Sequence, residues 1–92
     1  MSADMKWYIF SPDKNPLCWV TDDGKAPACK FDTEEDAKMF LDALFKIPAV
    51  ADEFADAEIA HCIFFYDDGT LNVSGFIPYQ NGDDIELKRM EV

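Results

Sequence analysis

The chain is poor in positive charge. Of its 92 residues 8 are Lys or Arg and 19 are Asp or Glu, giving a net charge of −11. The isoelectric point lies near 4.1. A surface so short of cations repels nucleic acid and anionic membrane, so no direct nucleic-acid or membrane partner is expected. Glycine is also scarce, at four residues, and nowhere forms a phosphate-cradling loop. The three cysteines, Cys18, Cys29 and Cys62, are odd in number and have no paired spacing. That argues against a disulfide framework and for reduced thiols in the cytoplasm. No apolar run approaches the roughly 20 residues of a membrane span. The opening Met1-Ser2-Ala3-Asp4-Met5 lacks the basic-then-apolar pattern of a signal peptide.

Apolar residues make up 49% of the chain and aromatics 14%, enough for a core. Disorder needs low hydrophobicity beside high charge, so one small folded domain is expected over 6–92, with 1–5 as a flexible end.

The aromatic and β-branched run Lys6–Phe10 predicts a strand. A turn with two prolines follows at 11–16, then a second strand at 17–20. Asp23-Gly24 marks another turn, and 28–31 forms a short third strand. The period then changes. Ala37, Phe40, Leu41, Leu44 and Phe45 recur at helical steps, with Asp32 or Thr33 as N-cap and Thr33-x-x-Asp36 as a short-armed capping box. Pro48 ends this helix near Lys46 and opens a shorter one over 49–55. Strands are expected at 58–66, after an Asp67-Asp68-Gly69-Thr70 turn at 71–77, and after a loop at 78–84 at 85–92. The order β-β-(β)-α-α-β-β-β predicts an α+β fold: an antiparallel sheet of about five strands, with one longer and one short helix on one face.

Catalytic chemistry has little to stand on. The single histidine, His61, is flanked in an apolar strand by Ala60 and Cys62. Adjacent strand residues point to opposite faces, so His61 and Cys62 do not form a nucleophile pair. The cysteines and His61 lack the C-x-x-C knuckle of a zinc site. Asp22-Asp23-Gly24 and Asp67-Asp68-Gly69-Thr70 lack the ligand spacing of a calcium loop, and turn chemistry explains both. No enzyme activity, cofactor or metal is expected.

The acids are the feature left to explain. Between Phe31 and Thr70 eleven carboxylates face two lysines, a local charge of −9. A helix N-terminus favours one or two acids, each worth about 0.3–1 kcal/mol. The four of "FDTEED" exceed that, and like charges three or four apart on a helix repel. A solvated helix face would account for part of this. The remainder predicts a basic protein partner, met by Asp32, Glu34, Glu35, Asp36, Asp42, Asp52, Glu53 and Asp56. A row of such carboxylates would have a charge spacing of the order of a phosphate backbone, about 3.4 Å per phosphate along one strand. Any of Trp7, Tyr8, Trp19, Phe76, Tyr79 and Met90 left on an open face would anchor an interface.

With "FDTEEDAKMFLDALF" and "AVADEFADAE" as acidic helices beside short aromatic strands, the chain resembles a loose group of proteins. These are the small acidic single-domain inhibitors, encoded by phages and mobile elements, that block host defence nucleases: anti-CRISPR proteins and other DNA mimics. Size, isoelectric point, layout and the missing catalytic motif carry the resemblance. The group shares no common motif, so no residue role transfers with it. The likeness implies a monomer or small homo-oligomer in the cytoplasm of a bacterial host, bound to a basic nucleic-acid groove of a CRISPR effector or other nuclease complex and excluding target DNA. A charge of −11 is modest for a full duplex mimic, which leaves room for docking on a basic surface without imitating DNA. Two other expectations stand beside this one. The first is an immunity or antitoxin protein neutralising a basic nuclease toxin. The second is a small metal-binding or enzymatic domain built on His61 and the cysteines.

Overall fold

The computed structural model describes residues 5–90. The expected flexible end lies outside the described residues except for Met5, which is exposed. In chain order the elements are β1 (Lys6–Phe10), β2 (Ala28–Lys30), α1 (Glu34–Phe45), α2 (Pro48–Ala51), a 3-10 turn (Asp52–Phe54), β3 (Glu58–Cys62), β4 (Thr70–Asn72), β5 (Phe76–Asn81) and β6 (Asp84–Arg89). The fold is α+β, as expected.

A single five-stranded antiparallel sheet does not form. The strands make three two-stranded ladders: β1 with β3, β2 with β4, and β5 with β6. β1 and β3 are antiparallel, from Lys6↔Cys62 to Phe10↔Glu58. β2 and β4 are parallel, Ala28↔Thr70 to Lys30↔Asn72. A parallel pair needs a long crossover, and α1, α2 and β3 supply it.

The strand expected at 17–20 is reduced to isolated bridges. Leu17 N–H donates to Ile9 O (2.8 Å), Cys29 N–H to Leu17 O (2.8 Å) and Trp19 N–H to Pro27 O (3.0 Å). Pro16 has no N–H to give, and turns close in on both sides. Trp7 and Phe31 exchange both backbone bonds, at 2.9 Å each, so β1 also touches the end of β2.

The C-terminal third differs most from expectation. The run 71–77 breaks after Asn72, because Ser74-Gly75 turns, with Gly75 at φ +86. The loop expected over 78–84 is strand instead. β5 passes through Pro78, which pairs with Leu87. Proline is tolerated there because β5 has one paired edge in a two-stranded ladder. The hairpin turn is Gly82-Asp83, with Gly82 at φ +64. Residues 91 and 92 of the expected last strand lie outside the described residues.

α1 begins at Thr33, whose Oγ1 accepts from Asp36 N–H (3.1 Å). It buries Ala37, Phe40 and Leu44. Phe40 sits edge-on to Phe31 (5.2 Å) and Trp19 (6.3 Å). Ile9, Cys29, Phe31 and Val73 complete the centre of the core. Phe45, expected on the buried stripe, is exposed at the helix end. The second helix is shorter than 49–55: a single α turn from Pro48, then the 3-10 turn.

Candidate functional site

The acid-rich start of α1 is partly consumed by the fold. Asp32 Oδ1 accepts from Lys6 Nζ (2.9 Å) and from Asn72 Nδ2 (3.0 Å). Those bonds hold its carboxyl below the usual aspartate range, the Lys6 bond most of all. The Asp32 N–H donates to Ser74 Oγ (3.2 Å), and Ser74 in turn donates its hydroxyl to Asp36. Asp36 therefore does not close the capping box. Its carboxylate ties the helix start to the turn between β4 and β5. Glu34 pairs with Lys38 one turn on (2.8 Å) and holds that ammonium above its usual range.

Five of the eight candidate acids remain. Glu35, Asp42, Asp52, Glu53 and Asp56 are exposed. None has an ion pair or side-chain hydrogen bond among the described residues. They do not form an unbroken row. Glu35 and Asp42 share the outer face of α1, seven residues and so about 10 Å apart along its axis. Lys38 and exposed Met39 lie between them. That is sparser than a phosphate strand. Asp52, Glu53 and Asp56 cluster on and just after the 3-10 turn.

Beside this cluster lies a groove of about 640 Å³. Leu17, Trp19 and Val20 from the β1–β2 connection line it together with Leu44 of α1, Val50 of α2 and Phe54 of the 3-10 turn. The charged residues lining it are Asp13 and Glu53, with no lysine or arginine among the described residues. Sequence reasoning missed this groove, because its walls come from segments far apart in the chain.

The opposite side of the β1–β3 ladder is different. Tyr8 is buried there against Phe64 (5.3 Å), which also meets Phe10 (5.5 Å) and Tyr66 (6.1 Å). Phe65 is 83% exposed. The strand expected over 58–66 stops at Cys62, and this segment follows it. A signal was present: two adjacent phenylalanines on an extended chain cannot both face inward. Lys6 and Lys30 line a hollow of about 300 Å³ below these rings. Of the aromatic anchors considered from sequence, Trp7 and Trp19 pack against the core and Tyr79 is exposed.

The elements of the enzymatic or metal reading do not meet. His61 stacks flat on Trp7 at 4.3 Å, on the ladder face away from Cys62. Burial pushes the Cys29 thiol up to about 12 and also raises Cys18. Raised thiols are poor nucleophiles. No three His, Cys, Asp or Glu side chains among the described residues converge as metal ligands. Among the described residues no helix is long and apolar enough to cross a membrane.

The molecule is thus a small acidic α+β protein with an unneutralised helical flank. No protein-family model, curated protein or solved structure matches the chain.

Proposed function

We propose that the protein is a non-enzymatic inhibitor that docks its acidic flank on a Lys/Arg-rich surface of a nucleic-acid-handling protein. The class of partner is a host defence nuclease such as a CRISPR effector, in the cytoplasm of a bacterial cell, and docking keeps target DNA out. The observation that carries this reading is the set Glu35, Asp42, Asp52, Glu53 and Asp56, exposed and with no ion pair or side-chain hydrogen bond among the described residues, carried by α1 and by the 3-10 turn and the residues just after it. Surface acids left without cations contribute little to stability, and they raise the association rate with a positive partner. The sparse spacing favours charge-led docking over a traced copy of the duplex.

Tagged protein is used to capture partners from bacterial lysate at low and at high salt. The expected result is recovery of a nuclease complex that salt weakens. A triple variant, E35K/D42K/E53K, is expected to lose that partner with its thermal midpoint unchanged within about 2–4 °C. Retention of the partner by this variant sinks the reading. Recovery of one small basic toxin instead makes the protein an immunity factor.

A further inference from the structure

The groove beside the 3-10 turn combines two features that a single ligand must satisfy. Its floor is apolar: Leu17, Trp19, Leu44, Val50 and Phe54. Covering such surface stabilises a complex by about 25 cal/mol per Å² removed from water. Its volume, about 640 Å³, lies inside the roughly 300–1,000 Å³ of ordinary binding pockets. Its charge is all of one sign. Asp13 and Glu53 are exposed and unpaired among the described residues, and the nearby Lys14 is turned to Glu58 (3.4 Å).

These features exclude most classes of ligand. A neutral apolar molecule would strip water from two carboxylates and give them no partner. An anion is repelled. A polyamine would satisfy the carboxylates and leave the floor wet. The unpaired acids also continue past the groove. Asp52 and Asp56 flank the lining residues Glu53 and Phe54, and Asp22 follows the lining residue Val20. A ligand meeting all of them is longer than the groove.

We infer that the groove receives a cationic amphipathic segment of a protein partner: one or two apolar side chains in the groove, with flanking Lys or Arg on Asp13, Glu53, Asp52 and Asp56. This rests on the docking reading above and adds to it an apolar anchor that charge alone does not require. The acids set the encounter, and the buried side chain slows release.

The test uses the full chain and two labelled twelve-residue peptides with equal numbers of Lys and Arg. One carries Leu at two central positions, the other Ser. Binding is followed by fluorescence anisotropy, with tryptophan emission as a second readout because Trp19 lines the groove. The Leu peptide is expected to bind at least tenfold more tightly than the Ser peptide and to shift the emission. Val20 is 72% exposed, so Val20→Arg leaves the fold intact while placing a cation in the groove. That variant is expected to reduce the tenfold preference to less than twofold. Equal binding of both peptides, or an undiminished preference in the variant, overturns the groove and leaves acidic docking standing. If neither peptide binds even at low salt, the docking reading fails and this inference fails with it.

Discussion

Along α1, Ala37, Phe40 and Leu44 point inward and Glu34, Glu35 and Asp42 point out. On the far side of the β1–β3 ladder that order is reversed: Phe65 stands in solvent while Lys6 and Lys30 line the hollow under its neighbours. Of the chain's few cations, Lys6 and Lys30 thus border an aromatic face, Lys6 with its ammonium on Asp32, and Lys38 is held by Glu34. The helical flank is left to express its charge. The total of −11 matters less than this segregation, because a field at a surface depends on which charges are neutralised nearby.

The sharpest way to break the contrast is to shorten the same side chain on both sides. Phe40 is fully buried between Phe31 and Trp19, and Phe65 is open to solvent. Phe40→Ala is expected to cost about 3–5 kcal/mol, a large part of the roughly 5–15 kcal/mol that holds such a domain. Phe65→Ala is expected to stay within about 0.5 kcal/mol. Urea midpoints measure both, and similar losses would mean that Phe65 is packed after all.

A smaller effect sharpens the helical side. Thr33 caps the α1 N-terminus through its side chain, so Thr33→Ala is expected to cost about 1 kcal/mol by the same assay. The smallest effect concerns the joint between the two regions, where Lys6 of the ladder holds Asp32 at the helix start. The folded carboxyl titrates lower than the unfolded one. Its contribution is therefore present above the unfolded value near 4 and is lost as pH falls through the folded value. Asp32 is half exposed, so Asp32→Asn is expected to cost less than about 1 kcal/mol at pH 7. The gap between the two proteins is expected to narrow as pH falls through the folded value. A gap that persists in acid would assign the joint to packing rather than charge.

What was legible in the sequence was what depends on near neighbours. The three- and four-residue recurrence of Ala37, Phe40 and Leu44 located α1 and its buried stripe, and Pro48 located the break after it. β1 and the Asp-Gly turns followed from local chemistry in the same way. The partnering was not legible. Nothing near Ala28 says that its companion is Thr70, and parallel, at that. Pro78 argued for a loop on local grounds, but a ladder with a free edge admits it. The acids of 32–36 looked alike in sequence. Distant residues, Lys6, Asn72 and Ser74, separate Asp32 and Asp36 from Glu35.

The β1–β3 and β2–β4 ladders have a consequence for how the chain is made. On the ribosome, residues 6–10 emerge early and must wait for residues 58–62, while β2 waits for β4. At about 5–20 residues per second that interval is on the order of seconds. During it Leu17 and Phe31 can bond one edge of the strand Trp7-Tyr8-Ile9-Phe10, but the edge that β3 covers stays open, the kind of edge on which nascent chains aggregate. Closing such distant pairings also makes spontaneous refolding slow for a chain of this size. A protein needed soon after its message appears would therefore be limited by the arrival of β3 and not by the formation of its helices.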